Sequence, residues 1–231
     1  MRAHETVMSW VRDQLAAGTL AVGDRLPGER QLAEQLGVSR STVREGLRIL
    51  EALGTLTSAT GSGPNSGTIV IAEPQQALAL ALGMQLSSRS VRFEDVVHTR
   101  LLLESWVAGH ADPGYTDWEV AQRLLDRMAD PDLPVEQYLA LDASFHAALA
   151  DAAANPLIST LMDGMRTAIA DHTLDRARQL PDWPTTARTL HAEHTGILEA
   201  FRRGDHEAAT RLVTDHITGY YQLTEAHTAA A

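Results

Sequence analysis

Apolar residues recur at three- and four-residue intervals along most of this chain, the spacing that lines one face of a helix. The pattern predicts helices near 4–17, 28–36 and 39–53, with Ser39 placed to cap the third. It then changes. "TLTS" and "TIVIAE", short runs with β-branched residues, flank "ATGSGPNSGT", Ala59 to Thr68, whose Gly, Ser, Pro and Asn favour turns. That is a hairpin with a long tip. After Glu73-Pro74 the helical period returns in Ala- and Leu-rich segments near 74–86, 93–110, 117–129, 134–151, 156–179, 185–203 and 205–225. Asn155-Pro156 opens one of these with Pro in its first turn, and Gly204-Asp205 separates the last two. The expected fold is mainly α, with a winged helix-turn-helix over 1–72 and an all-α helical bundle over 73–231.

The helix-turn-helix rests on "QLAEQLGVSRSTVREGLRIL". Ala33, small enough for close helix approach, is followed four residues on by Gly37 for the turn. Val43, six further, locks the second helix onto the first. Ser39, Arg40, Ser41, Thr42 and Arg44 stand near the start of that second helix. Such side chains suit phosphate and base-edge contacts in a major groove.

Charge agrees once it is divided. The net charge is −11, which alone disfavours nucleic acid. Residues 1–72 are balanced, with seven Arg and seven acids, so the whole excess lies in the bundle. There is no Lys, and Arg is the better bidentate partner of phosphate and guanine. Without cysteine there is no disulfide framework or thiolate site. No long apolar run suggests a membrane span or a signal peptide, and a cytoplasmic location is expected.

In the bundle, several polar residues fall within apolar stripes. His216 lies in the stripe of Val213, Ile217 and Tyr220, and His194 in that of Leu190, Ile197 and Phe201. Asp142 and His146 border Tyr138, Leu141, Phe145 and Leu149, while Arg100 and Glu104 lie between Val97 and Val107. Taken singly, each His reads as a hydrogen-bonded core residue, and Asp142 with His146 as a local hydrogen bond. Taken together, one carboxylate and three imidazoles on three helices suit a divalent transition metal, Zn²⁺ first, then Ni²⁺, Mn²⁺ or Fe²⁺.

Two longer stretches resemble a known family. "DRLPGERQLAEQLGVSRSTVREGLRILEALGTL" resembles the DNA-binding domain of GntR-family bacterial regulators, with Gly28 where Ser or Ala is usual. "DASFHAALADAAANPLI" and "HTGILEAFRRGDHEAATRLVTDHI" resemble the ligand-binding FCD domain of the FadR branch. The resemblance implies DNA contacts from Arg30, Ser39, Arg40, Ser41, Thr42, Arg44 and, in the wing, Gly61. It implies metal ligation by Asp142, His146, His194 and His216. Through "RLLLE", it implies that Arg100 clamps a carboxylate effector beside the metal. The expected protein is a homodimeric repressor or activator on a palindromic DNA operator, controlled by a small organic acid. The alternatives are a regulator that answers to the metal alone, a purely structural metal, and a metal-dependent hydrolase.

Overall fold

The computed structural model describes residues 3–59, 67–88 and 91–228, and the chain separates into two compact units, Met1–Ala77 and Leu78–Ala231. The first holds α1 (Ala3–Ala16), α2 (Glu29–Leu36), α3 (Arg40–Ala52), β1 (Leu56–Ala59) and β2 (Gly67–Val70). The strands pair antiparallel, Leu56 opposite Val70 and Ala59 opposite Gly67, and Arg25 adds a single bridge to Ile69.

The helix-turn-helix forms as its spacing predicts. Gly37 ends α2 at φ 65°, in the left-handed region that glycine enters without a steric cost. Ser39 Oγ accepts from the Thr42 N–H at 3.1 Å and caps α3. Ala33 and Val43 are both buried, in a core with Val7, Val11, Leu32, Leu47 and Leu50. Gly46 lets α1 lie close on α3, since a Cβ there would sit 2.7 Å from Val7 Cβ.

At Gly54 the turn from α3 into β1 runs at φ 69°, and a Cβ would overlap the Glu73 carbonyl. Gly18 has the same φ but open space around it. Gly18→Ala should therefore cost only the left-handed strain, about 1 kcal/mol. Gly54→Ala should cost clearly more, because backbone must move as well. Chemical denaturation of the two variants of the full chain measures the difference.

Among its described residues the regular elements of the second unit are all helical. Its elements are α4 (Gln75–Ser87, which begins in the first unit), α5 (Phe93–Gly109), α6 (Glu119–Met128), α7 (Val135–Ala150), α8 (Pro156–Ala177), α9 (Trp183–Arg202) and α10 (His206–Thr228). A 3₁₀ turn over Asp151–Ala153, closed by Ala154 at φ 50°, follows α7. Asn155 Oδ1 caps α8, Asp182 caps α9, and Asp205 Oδ1 accepts from the Ala208 N–H at 3.0 Å. α7 packs along α8 and α6, and α10 along α5 and α9. Tyr138, Phe145, Ile197, Leu198 and Ile217 fill the space between them. Polar residues on the inner faces of α5, α7, α9 and α10 are thereby forced to meet one another.

Candidate metal centre and nucleic-acid interface

Asp142 and His146 from α7, His194 from α9 and His216 from α10 are all buried, and each offers a donor atom within 4.8 Å of the others. His194 Nε2 lies 3.0 Å from Asp142 Oδ1 and 3.2 Å from His216 Nε2, which is 3.3 Å from His146 Nε2. Ligands about 2.1 Å from one ion stand about 3.0–3.4 Å apart in octahedral or tetrahedral shells. The cluster could therefore chelate a divalent metal. The pairing of Asp142 with His146 as a local hydrogen bond is not what the fold adopts, since Asp142 Oδ1 is 4.0 Å from His146 Nε2.

The outer ring nitrogens support this reading. His216 Nδ1–H donates to Glu193 Oε2 at 2.7 Å, and His146 Nδ1 lies 2.6 Å from Glu104 Oε2, without the in-line geometry of a hydrogen bond. A carboxylate facing Nδ1 fixes the proton there and leaves the Nε2 lone pair pointing inward, the arrangement typical of metal-binding histidines. His194 Nδ1 is buried without a hydrogen-bond partner. Burial, together with the neighbouring His216, pushes the His194 imidazole down to about 3, so at neutral pH it is in the uncharged, ligating form. Burial alone would raise the Asp142 carboxyl, but its contact with His194 holds it well below the usual carboxylate range.

Arg100 lies beside the cluster and is 3% exposed. Its Nε donates to Glu104 Oε1 at 2.7 Å and its Nη1 to the Tyr221 hydroxyl at 3.2 Å, while Nη2 has no partner. Against the cost of burial, Arg100 and His146 hold Glu104 down to about 2. The cavity between Glu104, His146 and Phe201 measures only about 10 Å³, roughly one water. Glu104 and Glu193 complete the surroundings of the rings. Glu104 was visible in "RLLLE" as an inward-facing residue. Glu193 had no signal beyond standing next to His194.

His191, three residues before His194, lies elsewhere: its Nε2–H donates to the Leu125 carbonyl at 3.2 Å. His110 Nδ1 meets the Trp106 carbonyl within α5, and His206 Nδ1 meets the Gly109 carbonyl, joining the start of α10 to the end of α5.

On the first unit, Ser39, Arg40, Ser41 and Arg44 are exposed at the start of α3, where Ser39 Oγ also meets Ser41 Oγ and Thr42 Oγ1. Arg44 holds Glu29 bidentately, Nε to Oε1 at 3.2 Å and Nη2 to Oε2 at 2.9 Å, and Arg40 Nη2 comes within 3.7 Å of the same carboxylate. The hydrogen bond from Arg44 lowers the Glu29 carboxyl pKa. Arg30 is exposed on α2, 4.0 Å from Glu34. Gly61 lies outside the described residues.

Comparison with known proteins agrees with this anatomy. The family model for bacterial regulatory proteins of the gntR family matches residues 3–64, and that for the FCD domain matches residues 95–219, over half of the chain. The chain belongs to the GntR family of bacterial regulators and carries an FCD domain. The HTH-type transcriptional regulator LutR of Bacillus subtilis is 31% identical over 207 residues, covering 87% of this chain and 91% of that one. The Glc operon transcriptional activator of Escherichia coli is 26% identical over 220 residues, covering 92% and 85%. Among solved structures, Streptococcus agalactiae GntR superposes with a TM-score of 0.61 at 23% identity, over 95% of this chain and 99% of that one, which speaks to the fold. This regulator is thus a DNA-binding protein rather than an enzyme, with an Asp–His cluster in its helical domain. Among the described residues no helix is long and apolar enough to cross a membrane.

Proposed function

We propose that this regulator is a metal-responsive one, its affinity for DNA set by a divalent transition metal, zinc foremost, held by Asp142, His146, His194 and His216. The observation that carries this is the convergence of four buried residues whose donor atoms all lie within 4.8 Å of one another. A bound ion would supply the positive charge that the buried carboxylate calls for, and would join α7, α9 and α10. Glu104 and Glu193 hold the His146 and His216 rings, and the α7 and α10 backbones carry those rings. In this reading a homodimer presents two heads to a palindromic operator. Arg44, Arg40 and Arg30 make the principal contacts, Ser39, Ser41 and Thr42 bond phosphates or bases, and Gly61 lets the wing approach.

Chelator-stripped protein should change its affinity for duplexes selected from a randomised pool when Zn²⁺, Ni²⁺, Mn²⁺ or Fe²⁺ is added alone. His146→Ala should lower metal content per chain and blunt that response. Unchanged metal stoichiometry in the variant would sink the assignment.

A second reading keeps a small organic acid, clamped by Arg100, as the signal. It is favoured by two buried polar atoms without partners, Arg100 Nη2 and the Tyr220 hydroxyl. A ligand that pairs with Arg100 competes with Glu104, which already accepts from its Nε. A thermal shift induced by an organic acid, lost in Arg100→Gln while metal is retained, selects this reading. A response to metal with no organic acid present selects the first.

A further inference from the structure

A larger cavity in the helical domain lies away from the metal cluster. A cavity of about 450 Å³ opens between the end of α6, the start of α7 and the first turns of α9. That is within the range of about 300–1,000 Å³ usual for small-molecule sites. Its wall is largely apolar: Leu133, Tyr138 and Trp183 line it, the two rings edge to face with centroids 5.4 Å apart. Its polar groups are few. The His191 Nε2–H is committed to the Leu125 carbonyl, and Asp130 Oδ1 accepts from the Asp132 N–H at 2.9 Å. Arg188 is the cation of the lining. Its Nη2 donates to Thr185 Oγ1 at 2.8 Å, and among the described residues no carboxylate lies within ion-pairing distance of it. The nearby Asp182 is engaged in capping α9 through the Thr185 N–H.

We propose that this cavity binds a small monocarboxylate with an aromatic or branched apolar body, its carboxylate on Arg188 and its body against Trp183 and Tyr138. A guanidinium with unused donors at the mouth of an apolar cavity matches an acid head on an apolar tail, and two rings set nearly at a right angle give that tail an apolar corner to pack into. The site is distinct from the metal cluster but shares its helices. Tyr138 is one turn before Asp142 on α7, and His191 one turn before His194 on α9. The Tyr138 hydroxyl donates to the Ala187 carbonyl at 3.2 Å, tying the two helices together at the cavity wall. An occupant seated there bears on the spacing of two metal-ligand helices without touching the metal.

The test is calorimetry on the full chain with phenylacetate and 4-methylvalerate, and with phenylacetamide as the neutral isostere of the first. At least one acid should bind saturably, and the amide about tenfold more weakly than phenylacetate, the loss of one charged hydrogen bond. Arg188→Gln, an exposed substitution, should weaken the acid about tenfold and leave the amide unchanged. Ala187→Met, which fills the cavity, should abolish binding, with its melting temperature reporting that it folds. Arg100→Gln should have no effect. The proposal is overturned if neither acid binds, if Arg188→Gln binds as the parent does, or if binding disappears in Arg100→Gln. The last result would move the acid to the metal cluster. None of these readouts depends on DNA binding or on a metal response, so the proposal and the metal-responsive reading fail separately.

Discussion

Replacing His194 by alanine is expected to abolish tight metal binding and to lower the stability of the protein even when no metal is added. His194 is fully buried, and its Nε2 is the atom nearest both Asp142 Oδ1 and His216 Nε2. Without it, three donors remain, and the Asp142 carboxylate loses the contact that does most to keep it ionised against burial. Leaving a buried group without its hydrogen-bond partner typically costs about 1–3 kcal/mol, and more when that group is charged, as Asp142 is. Losing one of four ligands should weaken the metal by at least the tens- to hundredfold associated with losing a supporting outer contact. Denaturant titration with and without Zn²⁺ separates the two effects. The parent should gain stability from the ion and the variant should not. A variant with a full complement of metal would show that His194 is a core residue and nothing more.

Arg44→Ala is expected to abolish sequence-specific DNA binding while leaving the head folded. Arg44 is half-exposed and borders no part of the core, so its removal opens no cavity. What it offers is a guanidinium held in one orientation by Glu29 at the start of the recognition helix. A bidentate contact to guanine is worth about 1–3 kcal/mol of discrimination. Two heads on a palindromic site double that to about 2–6 kcal/mol, a loss of about thirtyfold to more than ten-thousandfold. Arg30→Ala should instead weaken all sequences alike and flatten the salt dependence, the signature of a phosphate contact. Glu29→Gln is a sharper companion. It removes a negative charge beside the proposed DNA-contacting arginines and frees Arg44, so non-specific binding should rise as specificity falls. Affinities for a selected duplex and a scrambled one, each across a salt series, distinguish these outcomes.

The helices and the wing were legible because they are local events. Ser39 caps α3, Gly37 ends α2 and Asn155-Pro156 opens α8 within a few residues of the signals that announce them. The ends were less so. α9 begins at Trp183, two residues before its periodic pattern, because Asp182 supplies a cap and Pro184 is tolerated in a first turn. The 3₁₀ turn after α7 escaped because Ala154 at positive φ has no sequence signature. At the cluster, the four donors could be picked out because a polar residue in an apolar stripe is conspicuous. Their supports could not. Glu193 reaches His216 across 23 positions and Tyr221 reaches Arg100 across 121, and each looks ordinary on its own helix. The cavity at Arg188 was equally invisible. It is made by the ends of three helices, and an end contributes no periodicity.

The order of the ligands along the chain has a bearing on synthesis. Asp142 and His146 are made first, His194 about fifty residues later, and His216 only with α10, the last helix of the bundle. A ribosome releases the DNA-reading head, with its own core, well before the four donors can meet. In the metal-responsive reading, newly made chains therefore pass through a period in which the head is folded but the ion has no complete site. The length of that period is set first by the time taken to translate the helical domain, at about 5–20 residues per second, and then by the docking of α10 against α5 and α9.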